Sequence, residues 1–226
     1  MLNRYNLSSR KRMHGKCILV GCIVLVVLSI IIAVASYFGI KKGLNYVIQE
    51  YTETVPRELP EVSASATEIQ NVSDRLDAFR KAFKADEPAS PLVLSERDIN
   101  ILIDNYPDCK EMAGKVRVSI LDKTIKGEVS VPLDKMGKFA QGRYLNGMAV
   151  FRVELIGGRL VVFADSLEIR GQVVPEAFMQ GLRSQNLAEE ANKKPEVSNL
   201  MRKLESIKVE EGRVFIIPKN LKGSGI

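Results

Sequence analysis

Four carboxylates in the second half of the chain, Glu154, Asp165, Glu168 and Glu176, come nearest to a catalytic set. Two carboxyl groups flanking a glycosidic bond can hydrolyse it, one as acid and the other as base or nucleophile. Glu154 and Glu168, however, alternate with apolar neighbours, as solvent-facing strand charges do. The only histidine is His14, near the amino terminus, so residues 41–226 hold none. That removes Ser-His and Cys-His pairs and the usual His-bearing zinc sites from this part. The Ser-x-x-Lys spacing occurs only at Ser8 and Lys11, and Gly157-Gly158 lies between two strand patterns rather than before a helix. We therefore expect a non-catalytic protein without cofactor or metal, and rank a carboxylate-dependent hydrolase third.

A second group of residues is suited to binding. The stretch from Asp134 to Gly147 holds Lys135, Lys138, Arg143, Tyr144 and Asn146, pairing cations with an amphipathic ring. Such a loop can meet anionic headgroups or an acidic partner. It can equally be an ordinary solvated loop, with Asn146-Gly147 serving only to turn the chain.

The largest positioning element is the apolar block from Cys17 to Ile40. Its 24 residues would reach about 36 Å as a helix, enough to cross a hydrocarbon core of about 30 Å. Arg4, Arg10, Lys11, Arg12 and Lys16 precede it with no acid among them. The remaining 28 of the 33 Lys and Arg face all 27 Asp and Glu, so the rest of the chain is only +1. The cation bias orients the amino terminus towards the cytoplasm and the body outwards, and the near-neutral body argues against nucleic acid as a partner. The alternative is a signal peptide cleaved after Ala33-Val34-Ala35, which is less favoured because the apolar run is long and continues past that site. Ala35, Gly39 and Gly43 are spaced four apart and could bring a second helix close, so self-association through Ala35 and Gly39 is possible.

This divides the chain into a basic cytoplasmic tail (1–16), a transmembrane helix (17–40), a juxtamembrane helix and linker (41–66), an amphipathic helix with a Pro-rich break (67–91), an exported domain (92–218) and a flexible tail (219–226). Ile69, Val72, Leu76, Phe79 and Phe83 follow a helical spacing; they suit a helix laid on the body's own sheet, or a short coiled coil. Ser95 caps a helix carrying Ile99, Leu102 and Ile103. From Lys115 the period becomes two, giving strands around residues 116–120 and 125–133, a hairpin from Met148 to Ile169 turning at Gly157-Gly158, and a last hairpin turning at residues 210–212. Pro175 and Pro195 open helices. The expected fold is α+β, a mainly antiparallel sheet of about six strands with helices packed on one face. Cys109 is the sole cysteine after the apolar block, and burial beside a helix end is expected for it.

The stretch Leu94-Ser95-Glu96-Arg97-Asp98-Ile99-Asn100, with Arg143-Tyr144-Leu145-Asn146-Gly147 and Val174-Pro175-Glu176-Ala177-Phe178-Met179, resembles an uncharacterised group of single-pass bacterial envelope proteins. The resemblance covers residues 67 to 218 and implies no known activity. The Leu-Ser-Glu-x-x-Ile-Asn opener is also distantly similar to tubular lipid-binding envelope lipoproteins, which implies a lipid-handling domain with an apolar cavity. The expected function is a membrane-anchored extracytoplasmic binding or scaffold domain, its partner an envelope protein or lipid.

Overall fold

The computed structural model describes residues 49–137 and 140–219. The block 17–40, the strip at Ala35 and Gly39, Lys138 and residues 220–226 lie outside the described residues. Among the described residues, no helix is long and apolar enough to cross a membrane.

The fold is α+β and antiparallel, but with two sheets rather than one of about six strands. The larger sheet has the order β2 (Val116–Leu121), β3 (Thr124–Pro132), β4 (Tyr144–Ile156), β5 (Arg159–Ile169), β6 (Gln172–Val173). The smaller has the order β1 (Leu92–Ser95), β8 (Arg213–Pro218), β7 (Leu204–Glu210). Strand β1 escaped the sequence pattern because four residues lead straight into the helix cap at Ser95, leaving too short a run to show its period. It pairs with β8, more than a hundred residues later.

Helix α1 (Ala66–Ala85) begins with a reciprocal cap. The Ser65 side chain accepts from the Glu68 amide, and the Glu68 carboxylate accepts from the Ser65 amide at 2.8 Å. That bond, with the Arg97 guanidinium next in effect, lowers the Glu68 pKa to about 2. Val72, Leu76, Phe79 and Phe83 are buried, so the apolar stripe packs within its own domain, against α2 (Glu96–Asn105) and β1. Helices α3 (Glu176–Ser184), α4 (Glu189–Asn192) and α5 (Pro195–Lys203) lie along β5. The helices thus pack at both the β2 and the β5 margins of the larger sheet.

Side chains close both margins of that sheet. On β2, Asn100 of α2 accepts from the Val118 amide at 2.9 Å and donates to its carbonyl at 2.7 Å, while Glu96 accepts from the Ile120 amide. On β5, beyond the reach of two-residue β6, Asn186 accepts from the Val162 amide and Asn192 from the Leu160 amide. An open strand edge invites pairing with other chains, and these amides occupy it.

Asn146-Gly147 is not a turn. Gly147 lies inside β4, opposite Val129 of β3 and Ile169 of β5. A Cβ there would sit 3.3 Å from the Glu168 carbonyl oxygen, so the glycine serves close packing in the sheet. The true turns use left-handed residues: Asp122, the Gly157-Gly158 pair, Arg170-Gly171 and Glu211-Gly212.

Tyr106, which follows α2, ties it to α1. Its hydroxyl donates to Asp77 and accepts from Arg80 at 2.7 Å, and Arg80 also reaches Asp108 at 3.3 Å. Cys109 is buried in the adjoining 3-10 turn (Pro107–Cys109).

Two predictions follow from these ties. Asn100→Ala strands two backbone groups in a dry interior and should cost about 2–3 kcal/mol in chemical denaturation, against less than about 1 for Asn105→Ala, whose amide returns to its own helix. Burial, and then the bond to Asp77, raise the Tyr106 pKa from 10.0 to about 12. The folded state therefore favours the neutral phenol, and its stabilisation is complete below pH 10 and lost as pH climbs to about 12. The stability gap between wild type and Tyr106→Phe should close over that window; a constant gap would refute the assignment.

Candidate functional site

Three residues of the expected binding loop, Arg143, Tyr144 and Asn146, converge on the chain that enters the domain. Residues 49–51 are helical, and a helix end leaves its last carbonyls without partners. Two arginines supply them. Arg143 donates to the Thr52 carbonyl at 2.7 Å and to the Thr52 hydroxyl, with a longer bond of 3.4 Å to the Gln49 carbonyl. Arg170 donates to the carbonyls of Glu50 at 2.6 Å and Gln49 at 3.1 Å. Cations at a helix carboxyl end also meet its dipole favourably.

The chain then becomes a strap across the larger sheet. Glu53 and Tyr144 exchange both backbone bonds, 2.9 and 2.7 Å, so the strap pairs with β4 beyond the end of its β5 pairing. Asn146, 2% exposed, is the next anchor. Its amide nitrogen donates to the Glu53 carboxylate and to the Val55 carbonyl at 2.9 Å. Its oxygen accepts from the Arg57 amide at 3.1 Å and the Ser130 hydroxyl at 2.9 Å. Both donors and both lone pairs of this buried side chain are used. The Arg57 amide also reaches Ser130 at 3.0 Å, and its guanidinium lies 3.8 Å from Glu168.

Further on, Arg117 of β2 donates to the Pro60 carbonyl while paired with Asp104 at 3.0 Å. Arg97 of α2 donates to the Ser63 carbonyl at 2.8 Å, immediately before the cap of α1. The strap thus touches β4, then β3 and β5, then β2 before α1 begins. The small polar stretch expected as a linker is held by arginines at both Pro60 and Ser63.

Of the five residues expected to bind, Arg143, Tyr144 and Asn146 meet at the strap, while Lys135 is exposed in a short 3-10 turn (Asp134–Met136) and Lys138 is outside the described residues. Sequence reasoning missed Thr52, Glu53, Arg57, Arg117, Ser130 and Arg170. A usable signal was the pair of small polar residues Ser130 and Asn146 at solvent-side strand positions, where their neighbours Glu128 and Glu168 are charged. Of the four candidate carboxylates, Asp165 pairs with Arg152, Glu168 with Arg57 and Glu176 with Arg183, and Glu154 is exposed on β4. Among the described residues, no group of His, Cys, Asp and Glu could hold a metal ion.

Comparison with protein-family models, with curated proteins and with solved structures gives no match to this chain.

Asn146→Asp separates geometry from chemistry, because it keeps the shape but replaces two donors by an acceptor facing Glu53 and the Val55 carbonyl. It should release the strap at neutral pH at least as fully as Asn146→Ala, each costing about 2–3 kcal/mol. Tryptic cleavage after Arg57, slow in the wild type, should accelerate at least tenfold in both; unchanged cleavage would show that Asn146 does not hold the strap.

Proposed function

We propose that the protein is a single-pass membrane protein whose extracytoplasmic α+β domain is a binding or scaffold module clasped to its own anchor. The observation that carries this is the strap. A body tethered by a loose linker needs no buried asparagine and no arginines on the helix end that leads back towards residue 40. The clasp costs the entropy of ordering about ten residues, on the order of 10–20 kcal/mol for the backbone alone. Such an investment suits a domain whose stance relative to the bilayer matters, as in a module that presents a surface to an envelope component.

In this proposal residues 1–16 stay in the cytoplasm, 17–40 cross the membrane, and the domain stands outside. The basic tail and near-neutral body support the orientation. Ala35 and Gly39 offer a seam for self-association within the membrane.

The test is topological. The full chain should remain in the membrane pellet after alkaline carbonate washing, keep its original amino terminus, and expose the domain to protease added to spheroplasts but not the tail at residues 1–16. A mature terminus at Ser36, or release by carbonate, would contradict it.

A further inference from the structure

The described residues include five large apolar side chains in the open: Val55 at 67%, Leu121 at 52%, Met136 at 53%, Ile156 at 55% and Val173 at 72% exposed. Single exposed apolar residues are ordinary, but these fall into two groups by strand register. Leu121 and Ile156 sit at the hairpin ends of β2 and β4. Val55, Met136 and Val173 sit at the other end of the larger sheet, where the chain enters. Val55 hangs from Asn146 at the start of β4, and Met136 is in the connection between β3 and β4. Val173 in β6 stands opposite Glu168, the residue that pairs with Arg57 of the strap.

Chain length decides what lies next to this end. Eight residues separate Ile40 from Gln49, spanning about 12 Å as helix and at most about 29 Å extended. Strand β4 has 13 residues and is about 40 Å long, so the two ends of the sheet are far apart on that scale. With the helix end gripped by Arg143 and Arg170, the clasp keeps the entry end, and not the far end of the sheet, within that reach of residue 40.

We infer that the entry end of the sheet rests on the bilayer that the anchor spans, with Val55, Met136 and Val173 entering its headgroup layer. This deepens the proposed function and rests on the anchor assigned there. The charges nearby are mixed. Arg57 faces Glu168, Asn146 faces Glu53, Arg143 and Arg170 are spent on carbonyls, Asp134 accepts from the Gly142 amide, and Lys135 is exposed. Apolar contact therefore drives the docking, and a zwitterionic bilayer suffices.

The full chain, with Cys17→Ala and Cys22→Ala to leave only the buried Cys109, is given one added cysteine at a time: Val55→Cys, Met136→Cys, Val173→Cys, or the controls Leu121→Cys and Ile156→Cys. Each is labelled with an environment-sensitive fluorophore and reconstituted into phosphatidylcholine vesicles with and without a headgroup-nitroxide lipid. The expected result is quenching at 55, 136 and 173 at least threefold greater than at 121 and 156. Equal quenching at both ends, in protein that resists carbonate extraction, would overturn the docking while leaving the anchor in place. Extraction by carbonate would overturn both. Energy transfer between copies labelled at 173, without lipid quenching, would assign the surface to a second copy and also overturn the inference. Slow tryptic cleavage after Arg57 in each variant verifies that the clasp is intact.

Discussion

A buried primary amide left without partners costs stability, and Asn146 finds four, three on the strap and one on the neighbouring strand. Two belong to the strap's carboxylate and carbonyl, one to its backbone amide, and one to the neighbouring strand. The entering chain is extended and contains Pro56 and Pro60, so it has few donors and cannot satisfy itself as helix. Its course over the sheet depends on side chains that reach out to its backbone. Arg143 and Arg170 prepare the approach, Asn146 fixes the register, and Arg117 and Arg97 carry the strap to the start of α1.

The same device recurs at the margins of the sheet. Asn100 closes β2, and Asn186 with Asn192 closes β5, each by matching amide groups to a strand's outward backbone. At the β5 margin the Leu187 amide, between α3 and α4, adds a backbone bond to the Val162 carbonyl at 2.9 Å. The result is a larger sheet with its strand margins occupied and, at the chain's entry, a bridge from Glu53 to the first residue of β4.

Local patterns made much of this fold legible. The stripe from Ile69 to Phe83, the capped helix at Ser95, the two long hairpins and the last hairpin are all set by periodicity and turn residues within a few positions, and they stand near where the sequence puts them, with β4 beginning at Tyr144 rather than Met148. The second sheet was not legible, because β1 is four residues long and its pairing with β8 is distant in sequence. Asn146-Gly147 misled for a related reason. The pair has turn chemistry, but tertiary contacts used the amide as an anchor and the missing Cβ as space. The expected loop did contain the residues that matter, yet their alternating types gave no sign that three of them would face the chain's own entering segment. The identity of Arg170 and Arg117 as partners of that segment depended on register across strands, which no local window contains.

The central claim is that residues 53–57 are a fixed part of the sheet and would carry the domain's stance to the proposed anchor. Amide hydrogen exchange of the full chain reads it directly at Glu53, whose amide bonds to the Tyr144 carbonyl, and at Arg57, whose amide bonds to Ser130 and Asn146. Both amides should exchange at least an order of magnitude more slowly than an open chain, with protection near that of central β4 amides and lost in Asn146→Ala. Exchange of both at open-chain rates, while the β4 amides stay protected, would contradict the account.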